Sequence, residues 1–368
     1  MTVSQPTGTD TERRDSLAGR LFEATIGAFD LLSVYIGDRL GLYRALADGG
    51  RLSAPELAAR AGIDVRYARE WLEHQAVGGI LDVDAVSAAA DERRYELPPG
   101  HAEVLVDPRS LATLAPLARM VVSAGATMPA LLDVYRKGGG VAWDAYGPDL
   151  VEAQAAINRP VFEQLLPAEW VPAMPDIHAR LGRPGARIAD VACGGGWSTL
   201  ALARAYPTAQ VDGIDLDPGS IELARDHLAR TAPELADRVT FEVREAADPD
   251  LEGRYDLALI LEAVHDLSRP VEALRAVRGL LAPGGALLVA DEKVADTFTA
   301  PGDEVERLMY GYSILFCLTN GLADAPSAGT GTVMRADTLR GYARAAGFSS
   351  LTVLPVEHDT LRLYRLDP

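Results

Sequence analysis

Cysteine is nearly absent: Cys193 and Cys317 are the only two in 368 residues. That excludes a disulfide framework and cysteine-rich metal spacing, and makes a reducing cytoplasm the expected compartment. Basic charge is scarce as well. A formal net charge of -18 repels phosphate backbones and anionic lipid, so neither nucleic acid nor a membrane surface is an expected partner. Long apolar runs are missing too: no stretch is read as approaching the roughly 18 residues of a membrane span. The polar start, with Glu12, Arg13, Arg14 and Asp15, lacks the layout of a signal peptide. What is present is length enough for two domains and ample apolar side chains for a core, in a protein expected to be soluble and cytoplasmic.

The chain is organised around residues 186–199, ARIADVACGGGWST. Residues 188–192 alternate β-branched and small side chains as a buried strand does, and turn residues follow. Gly194, Gly195 and Gly196 come next, and from Ser198 the composition is that of a helix under a Ser or Thr cap. A strand that breaks into glycines and re-emerges as a helix presents bare backbone and free N–H groups to a ligand. The dinucleotide pattern G-x-G-x-x-G fits poorly, because Thr199 stands where its third glycine belongs. An acidic residue followed by G-x-G-x-G fits better, from Asp190 to Gly196, with Ala192 at the first glycine. Residues 211–217 read as a second strand. Asp215 on it lies roughly 20 residues past the glycines, where one carboxylate can serve two vicinal ribose hydroxyls.

Strand, glycine loop, helix, strand, acid and helix in this order resemble the class I S-adenosylmethionine (SAM) methyltransferases. The resemblance implies SAM as cofactor, S-adenosylhomocysteine (SAH) as product, and no metal. It assigns Asp190 to the cofactor's ammonium, Ala192, Gly194 and Gly196 to the loop beneath it, and Asp215 with Leu216 to the ribose. Glu245 and Ala246 fall where the family's adenine contacts lie, an acid for the exocyclic amine and a small neighbour for the ring; Glu262 completes the set.

Residues 1–15 read as a disordered tail and 16–110 as a winged-helix domain. From Leu17 to Tyr43 a helical pattern is apolar around more of its circumference than one buried face requires, which points to a second subunit. Ser53 and Glu56 form a capping box ahead of a second helix, Asp64 opens a third, and residues 80–83 and 94–97 can pair as a wing. Winged helices often read DNA. Here acids outnumber bases, and the third helix carries Glu70 and Glu73 beside Arg66 and Arg69, so the better reading is a dimerisation domain that caps the active site. Residues 66–72 and 158–160 resemble a bacterial group of winged-helix methyltransferases.

Residues 111–180 read as connecting helices interrupted by a glycine-rich loop in which Trp143 and Tyr146 are substrate-pocket candidates; helix packing is their alternative role. Residues 181–368 read as the SAM-binding catalytic domain. Strands are expected at 238–243, 255–261, 284–290, 351–354 and 361–366. The expected fold class is α/β: the resemblance implies a Rossmann-like sheet of seven strands with the last added as a hairpin, behind an N-terminal α-helical winged-helix domain. Chemistry belongs at the C-terminal ends of the strands. His265-Asp266 matches the His-Asp pair of winged-helix O-methyltransferases, including plant phenolic enzymes, although Leu267 replaces their tryptophan. His265 is thus the candidate base, with Asp266 beside it and Asp291 or Glu292 orienting the ring. An insertion at about 294–336 offers Met309, Tyr312, Phe316 and Cys317 for the acceptor pocket, or for dimer or core packing. The expected function is methyl transfer to a small hydrophobic or aromatic metabolite, oxygen favoured over nitrogen or carbon. The rival is the same scaffold put to non-methylating chemistry or ligand-responsive regulation, an option that Ala192 keeps open.

Overall fold

The computed structural model describes residues 8–248 and 254–368. The chain divides into two compact units, Met1–Val122 and Ser123–Pro368. In the first, helix α1 (Asp10–Arg39) starts under a capping box: the Glu12 N–H donates to the Thr9 hydroxyl, and the Thr9 N–H donates to the Glu12 carboxylate at 2.7 Å. The sequence reading places a disordered tail through Asp15; the helix instead begins at Asp10, because Thr9 and Glu12 satisfy its first donors. The head of that tail, residues 1–7, lies outside the described residues. Helices α2 (Leu42–Gly49), α3 (Ala54–Ala61) and α4 (Val65–Val77) follow, then the antiparallel wing of β1 (Asp82–Val83) and β2 (Tyr95–Glu96), and α5 (Pro99–Leu105). Their core gathers Leu42, Leu46, Leu57 and Leu72 around Tyr43, which meets Trp71 edge-on at 5.1 Å.

On α4, Arg66 pairs with Glu70, Arg69 with Asp91, and Glu73 with Arg93. Helix α6 (Ala115–Lys137) carries the chain from the first unit into the second. Among the described helices it alone is long and apolar enough to cross a membrane, with mean hydropathy 1.3, although Arg119 and Asp133 interrupt its apolar run. Ala118, Met120, Ala124 and Leu131 on it are buried, and Arg119 pairs with Asp38 at 2.6 Å, as in a packed helix.

The second unit runs α7 (Pro148–Leu165), α8 (Pro175–Leu181), β3 (Arg187–Val191), α9 (Trp197–Ala205), β4 (Gln210–Asp215), α10 (Pro218–Thr231), β5 (Val239–Val243) and β6 (Tyr255–Leu261). It continues with α11 (Pro270–Leu280), β7 (Leu281–Glu292), α12 (Glu304–Tyr312), α13 (Leu318–Gly321), α14 (Ala336–Ala346), β8 (Ser350–Val353) and β9 (Leu361–Asp367). The residues from 123 to 180 belong to this unit, so the boundary read at about 110 moves to Val122. Seven strands lie in the order β5-β4-β3-β6-β7-β9-β8, with β9 antiparallel to both its neighbours. Alternate residues feed two cores: Ile188, Leu257, Leu259 and Leu288 on one face, Val191, Ile260 and Val289 on the other. Register aligns the chemistry. Val191 pairs with Ile214 and with Ile260, and Leu261 pairs with Ala290, so the glycine loop, Asp215, Glu262 and Asp291 leave the sheet along one edge.

Candidate active site

Past Val191 the chain turns through Ala192 at φ 57°, Gly194 at φ 51° and Gly196 at φ 76° before α9 begins. This left-handed region suits glycine, and a residue with a Cβ enters it at a cost of about 1 kcal/mol. Ala192 adopts that conformation although it stands at the first glycine of G-x-G-x-G. At Gly196 a Cβ would also meet the Phe241 ring at 2.7 Å. At Gly194 it would meet nothing within 4 Å, which marks the open side of the loop. Asp190 is buried, and one of its oxygens accepts the Ser198 and Thr199 hydroxyls, both at 2.6 Å. Burial pushes its carboxyl up to about 6.

Asp215 lies against the same loop. Its Oδ2 accepts the Gly194 N–H at 2.8 Å and its Oδ1 the Asp217 N–H at 2.9 Å, and burial raises its carboxyl above the ordinary aspartate value. Each oxygen keeps a lone pair for a further donor. Leu216 is 56% exposed, an apolar side chain left open directly beside that carboxylate. At the end of the neighbouring strand β5, Glu245 pairs with Arg269 at 3.4 Å and Ala246 is buried. The open space before Gly194, the half-satisfied Asp215 and the uncovered Leu216 fit an adenosyl group.

The end of β6 carries the second cluster. Glu262 is held at φ 54°, a strained position for a non-glycine residue, and a 3-10 turn at Val264–Asp266 delivers His265 into a buried setting. His265 Nδ1 lies 2.9 Å from Asp291 Oδ1, as a hydrogen bond, and 2.9 Å from Glu292 Oε2. Nε2 lies 3.6 Å from Asp266 Oδ1, and the ring also bonds the Cys317 thiol. Both candidate carboxylates of β7 therefore reach the ring. Burial opposes charge on His265, but Glu292, Asp291 and Asp266 outweigh it and raise its proton affinity well above the usual histidine value. Burial pushes Glu262 up to about 7 although Asn158 of α7 donates to it. Burial likewise raises Glu292, whereas His265 overrides burial at Asp291 and holds it low. Two triads share the ring, His265-Asp291-Glu292 and His265-Asp266-Cys317, and each has the donor types of a divalent metal site within 4.8 Å.

The insertion braces this turn. The Gly331 N–H donates to the His265 carbonyl at 3.1 Å, the Ala328 N–H to Ser268 at 2.9 Å, and the Ser268 hydroxyl to Gly321 at 2.9 Å. Helix α12 runs through a π-turn, Ser313–Cys317, into α13; such turns recur at functional sites. Met309 and Phe316 are buried and Tyr312 half-buried, with the Tyr312 and Phe316 rings 6.2 Å apart. Burial pushes the Tyr312 phenol up to about 12, with Glu262, Cys317 and Glu292 adding to it. Tyr146 packs on Phe316 at 5.2 Å and donates its hydroxyl to the Leu315 carbonyl at 2.7 Å, so the glycine-rich loop and the insertion form one wall. Trp143 is half-buried in the 3-10 turn that Tyr146 ends, and makes no aromatic contact among the described residues.

Three features escaped the sequence reading. Asn158 reaches Glu262 from a helix far earlier in the chain. His227 of α10 holds the Gly195 carbonyl at 2.8 Å and stacks on Trp197 at 4.2 Å, with the Arg159 guanidinium 4.0 Å from the same indole, a clamp behind the glycine loop. Cys317, expected to line the acceptor pocket or to serve in dimer or core packing, touches His265 itself. None has a local spacing signal, because each pairing joins distant segments.

Residues 189–287 match the family described as "Methyltransferase domain", and residues 28–107 match the "Rv2258c-like winged HTH domain". Among curated proteins, the chain is 36% identical over 114 residues to a ubiquinone biosynthesis O-methyltransferase of Xanthomonas campestris pv. campestris, a match covering 31% of this chain and 46% of that protein. The chain thus spans somewhat under half the length of that relative. Among solved structures, PigF with SAH aligns over 98% of this chain and 100% of its own, at TM-score 0.68 and 19% identity. The mitomycin 7-O-methyltransferase MmcR aligns over 97% and 99%, at TM-score 0.66 and 18% identity. These two likenesses establish the fold across both units.

Proposed function

We propose that the chain is a class I SAM-dependent methyltransferase with an N-terminal winged-helix domain, a reading supported by its two domain matches and its fold, and that it methylates a small hydrophobic or aromatic metabolite, at oxygen in preference to nitrogen or carbon. The observation that carries this reading is His265, buried at the end of β6 with Nδ1 fixed by Asp291 and an aromatic wall beside it. SAM, when bound, supplies an electrophilic methyl on a sulfonium, so the protein needs mainly to align the acceptor and remove its proton. Asp215, Leu216, Glu245 and Ala246 would hold the adenosyl part. Ala192, Gly194, Gly196 and Asp190 shape the loop for the amino-acid part, and Glu262 closes the site from β6. Asp291 holds the His265 ring through Nδ1, which leaves Nε2 to take the acceptor's proton. Glu292 and Asp266 stabilise the imidazolium that results. Met309, Tyr312, Phe316, Tyr146 and Trp143 form the acceptor wall.

Assembly follows from the first unit. Leu21, Phe22 and Phe29 on α1 are 61%, 67% and 62% exposed, and only Val34 and Gly37 of that helix are buried. An apolar face of this extent is rarely left to water, and a second copy of the chain covers it in the homodimer we assign. The unpaired Cys193 and Cys317 support a cytoplasmic setting.

The test is incubation with trideuteromethyl-SAM and an extract of the source organism, read by mass spectrometry. A metabolite that gains the labelled methyl, and does not with Asp215→Ala, supports the reading and identifies the acceptor. Measurable SAH binding without any labelled product would overturn it in favour of a repurposed scaffold.

A further inference from the structure

Gly194, Gly195 and Gly196 make up the loop assigned to the methyl donor, and glycine loses more freedom on ordering than any other residue. The loop nevertheless keeps one path, and its fixings come from outside it. Asp215 takes the Gly194 N–H at 2.8 Å, and the Cys193 carbonyl takes the Gly196 N–H at 2.9 Å. The Gly195 carbonyl, in the same peptide plane as the Gly196 N–H, lies 2.8 Å from His227 Nδ1. A carbonyl oxygen only accepts, so Nδ1 carries the proton. Burial lowers the proton affinity of this ring, with Arg159 acting in the same direction, which leaves it neutral with Nε2 bare. The ring is itself held: it stacks on Trp197 at 4.2 Å with the planes 30° apart, and the Arg159 guanidinium lies 4.0 Å from the same indole. Behind Gly195 a Cβ would come within 2.7 Å of the Ala155 methyl, so α7 closes the rear of the loop. Asp217 caps α10 just past Asp215, so a single helix joins the assigned ribose carboxylate to the ring that pins the loop.

We propose that His227 is a positioning residue for the methyl donor: its Nδ1–H fixes the Gly195–Gly196 peptide, so the loop stands in its donor-binding shape before the donor arrives. The inference rests on the methyltransferase reading and deepens it at the donor site. His227 acts through the backbone of the loop rather than on the donor. A loose run of glycines would have to be ordered on binding, and the entropy lost there would subtract from donor affinity. With the peptide pinned beforehand, folding has already met that cost.

Calorimetry of SAH binding to the full chain separates the hydrogen bond from the packing with two variants. His227→Asn places an amide N–H where Nδ1 stands and gives up the stack on Trp197, whereas His227→Phe keeps the stack and gives up the donor. SAH affinity should stay within about twofold of the unaltered protein in His227→Asn and fall roughly fivefold to tenfold in His227→Phe, the worth of one net hydrogen bond. A ring that serves packing alone gives the reverse order and overturns the proposal, as do two variants whose affinities do not separate. Should either variant fail to fold, hydrogen exchange at the Gly196 amide of the unaltered, SAH-free protein decides. Slow exchange supports a loop formed in advance, and exchange at the rate of an open loop overturns it. An unaltered protein that does not bind SAH defeats the methyltransferase reading and this inference with it. SAH binding that is indifferent to His227→Phe defeats the inference alone.

Discussion

At Ala192 a methyl group occupies a backbone conformation that glycine takes freely, φ 57°. Ala192→Gly should therefore raise thermal stability by about 0.5–1 kcal/mol after the entropy of the added glycine is offset, as read by thermal melts of the two proteins. Asp215→Ala removes two backbone partners and the assigned ribose ligand together. SAH affinity should fall about 100-fold or more by calorimetry, at a few kcal/mol for charged hydrogen bonds. His265→Ala should leave SAH affinity unchanged and lower turnover of the identified acceptor by a factor on the order of 100 to 10,000. The raised proton affinity of His265 also fixes the sign of the pH profile. The ring keeps its proton to higher pH than an ordinary histidine, so the rise of turnover with pH should be displaced upward from the ordinary histidine value of 6.5. Glu292→Gln should shift that limb to lower pH, and the same shift should appear in the NMR titration of the His265 ring. At this scale the sequence was most legible where the signal is local. The glycine loop and Asp215 are one strand and one helix apart, and the structure joins them through the Gly194 N–H. The contacts of Cys317 with His265 and of Asn158 with Glu262 could not be read, because only the folded chain brings them to the end of β6.

The insertion behaves as one element with the glycine-rich loop. Gly140 packs directly on the Thr319 carbonyl and the Leu322–Ala323 backbone, where a Cβ has no room, and the Val141 N–H donates to Thr319 at 3.0 Å. Gly140→Ala should destabilise the second unit by about 1–3 kcal/mol, the range for overpacking. It should cut acceptor turnover more than SAH affinity, checked by melting and by parallel kinetic and calorimetric measurements. The strands were legible for a simple reason: β6 and β7 are buried on both faces and read as continuous apolar runs. The start of α1 was not, although Thr9 and Glu12 stand at capping-box spacing. Polar composition masks a helix whose first turns touch nothing buried.

For the molecule as a whole, buried acids set the response to pH. Glu262 moves from 4.5 to about 7 and Asp190 from 3.8 to about 6, so the folded chain holds both protons more tightly than the unfolded chain does. Their stabilising share is complete below the unfolded values and is lost as pH rises through about 6 to 7. For Glu262 it amounts to roughly 3 kcal/mol. Melting of the SAH-free protein across this window should lose that slope in Glu262→Gln. The paired charge changes Phe22→Asp and Phe29→Asp should convert the dimer to monomers in analytical ultracentrifugation while leaving the melting of the second unit in place. A dimer that survives both would clear α1 of the interface.

Strand β9 sits inside the sheet, between β7 and β8, with Asp291 opposite Arg362 and Glu292 opposite Leu361. On the ribosome it is the last of the seven strands to be made. The nascent chain can close β3, β4 and β5 around the glycine loop while β7 still offers an open edge to a chaperone or to a neighbouring nascent chain. The carboxylates that steer His265 are thus locked in only when Leu361–Asp367 pairs with that edge. Under the proposed function, a chain stopped before Leu361 holds every residue assigned to the methyl donor but lacks the strand that pairs with Asp291 and Glu292, so it should bind the donor without using it.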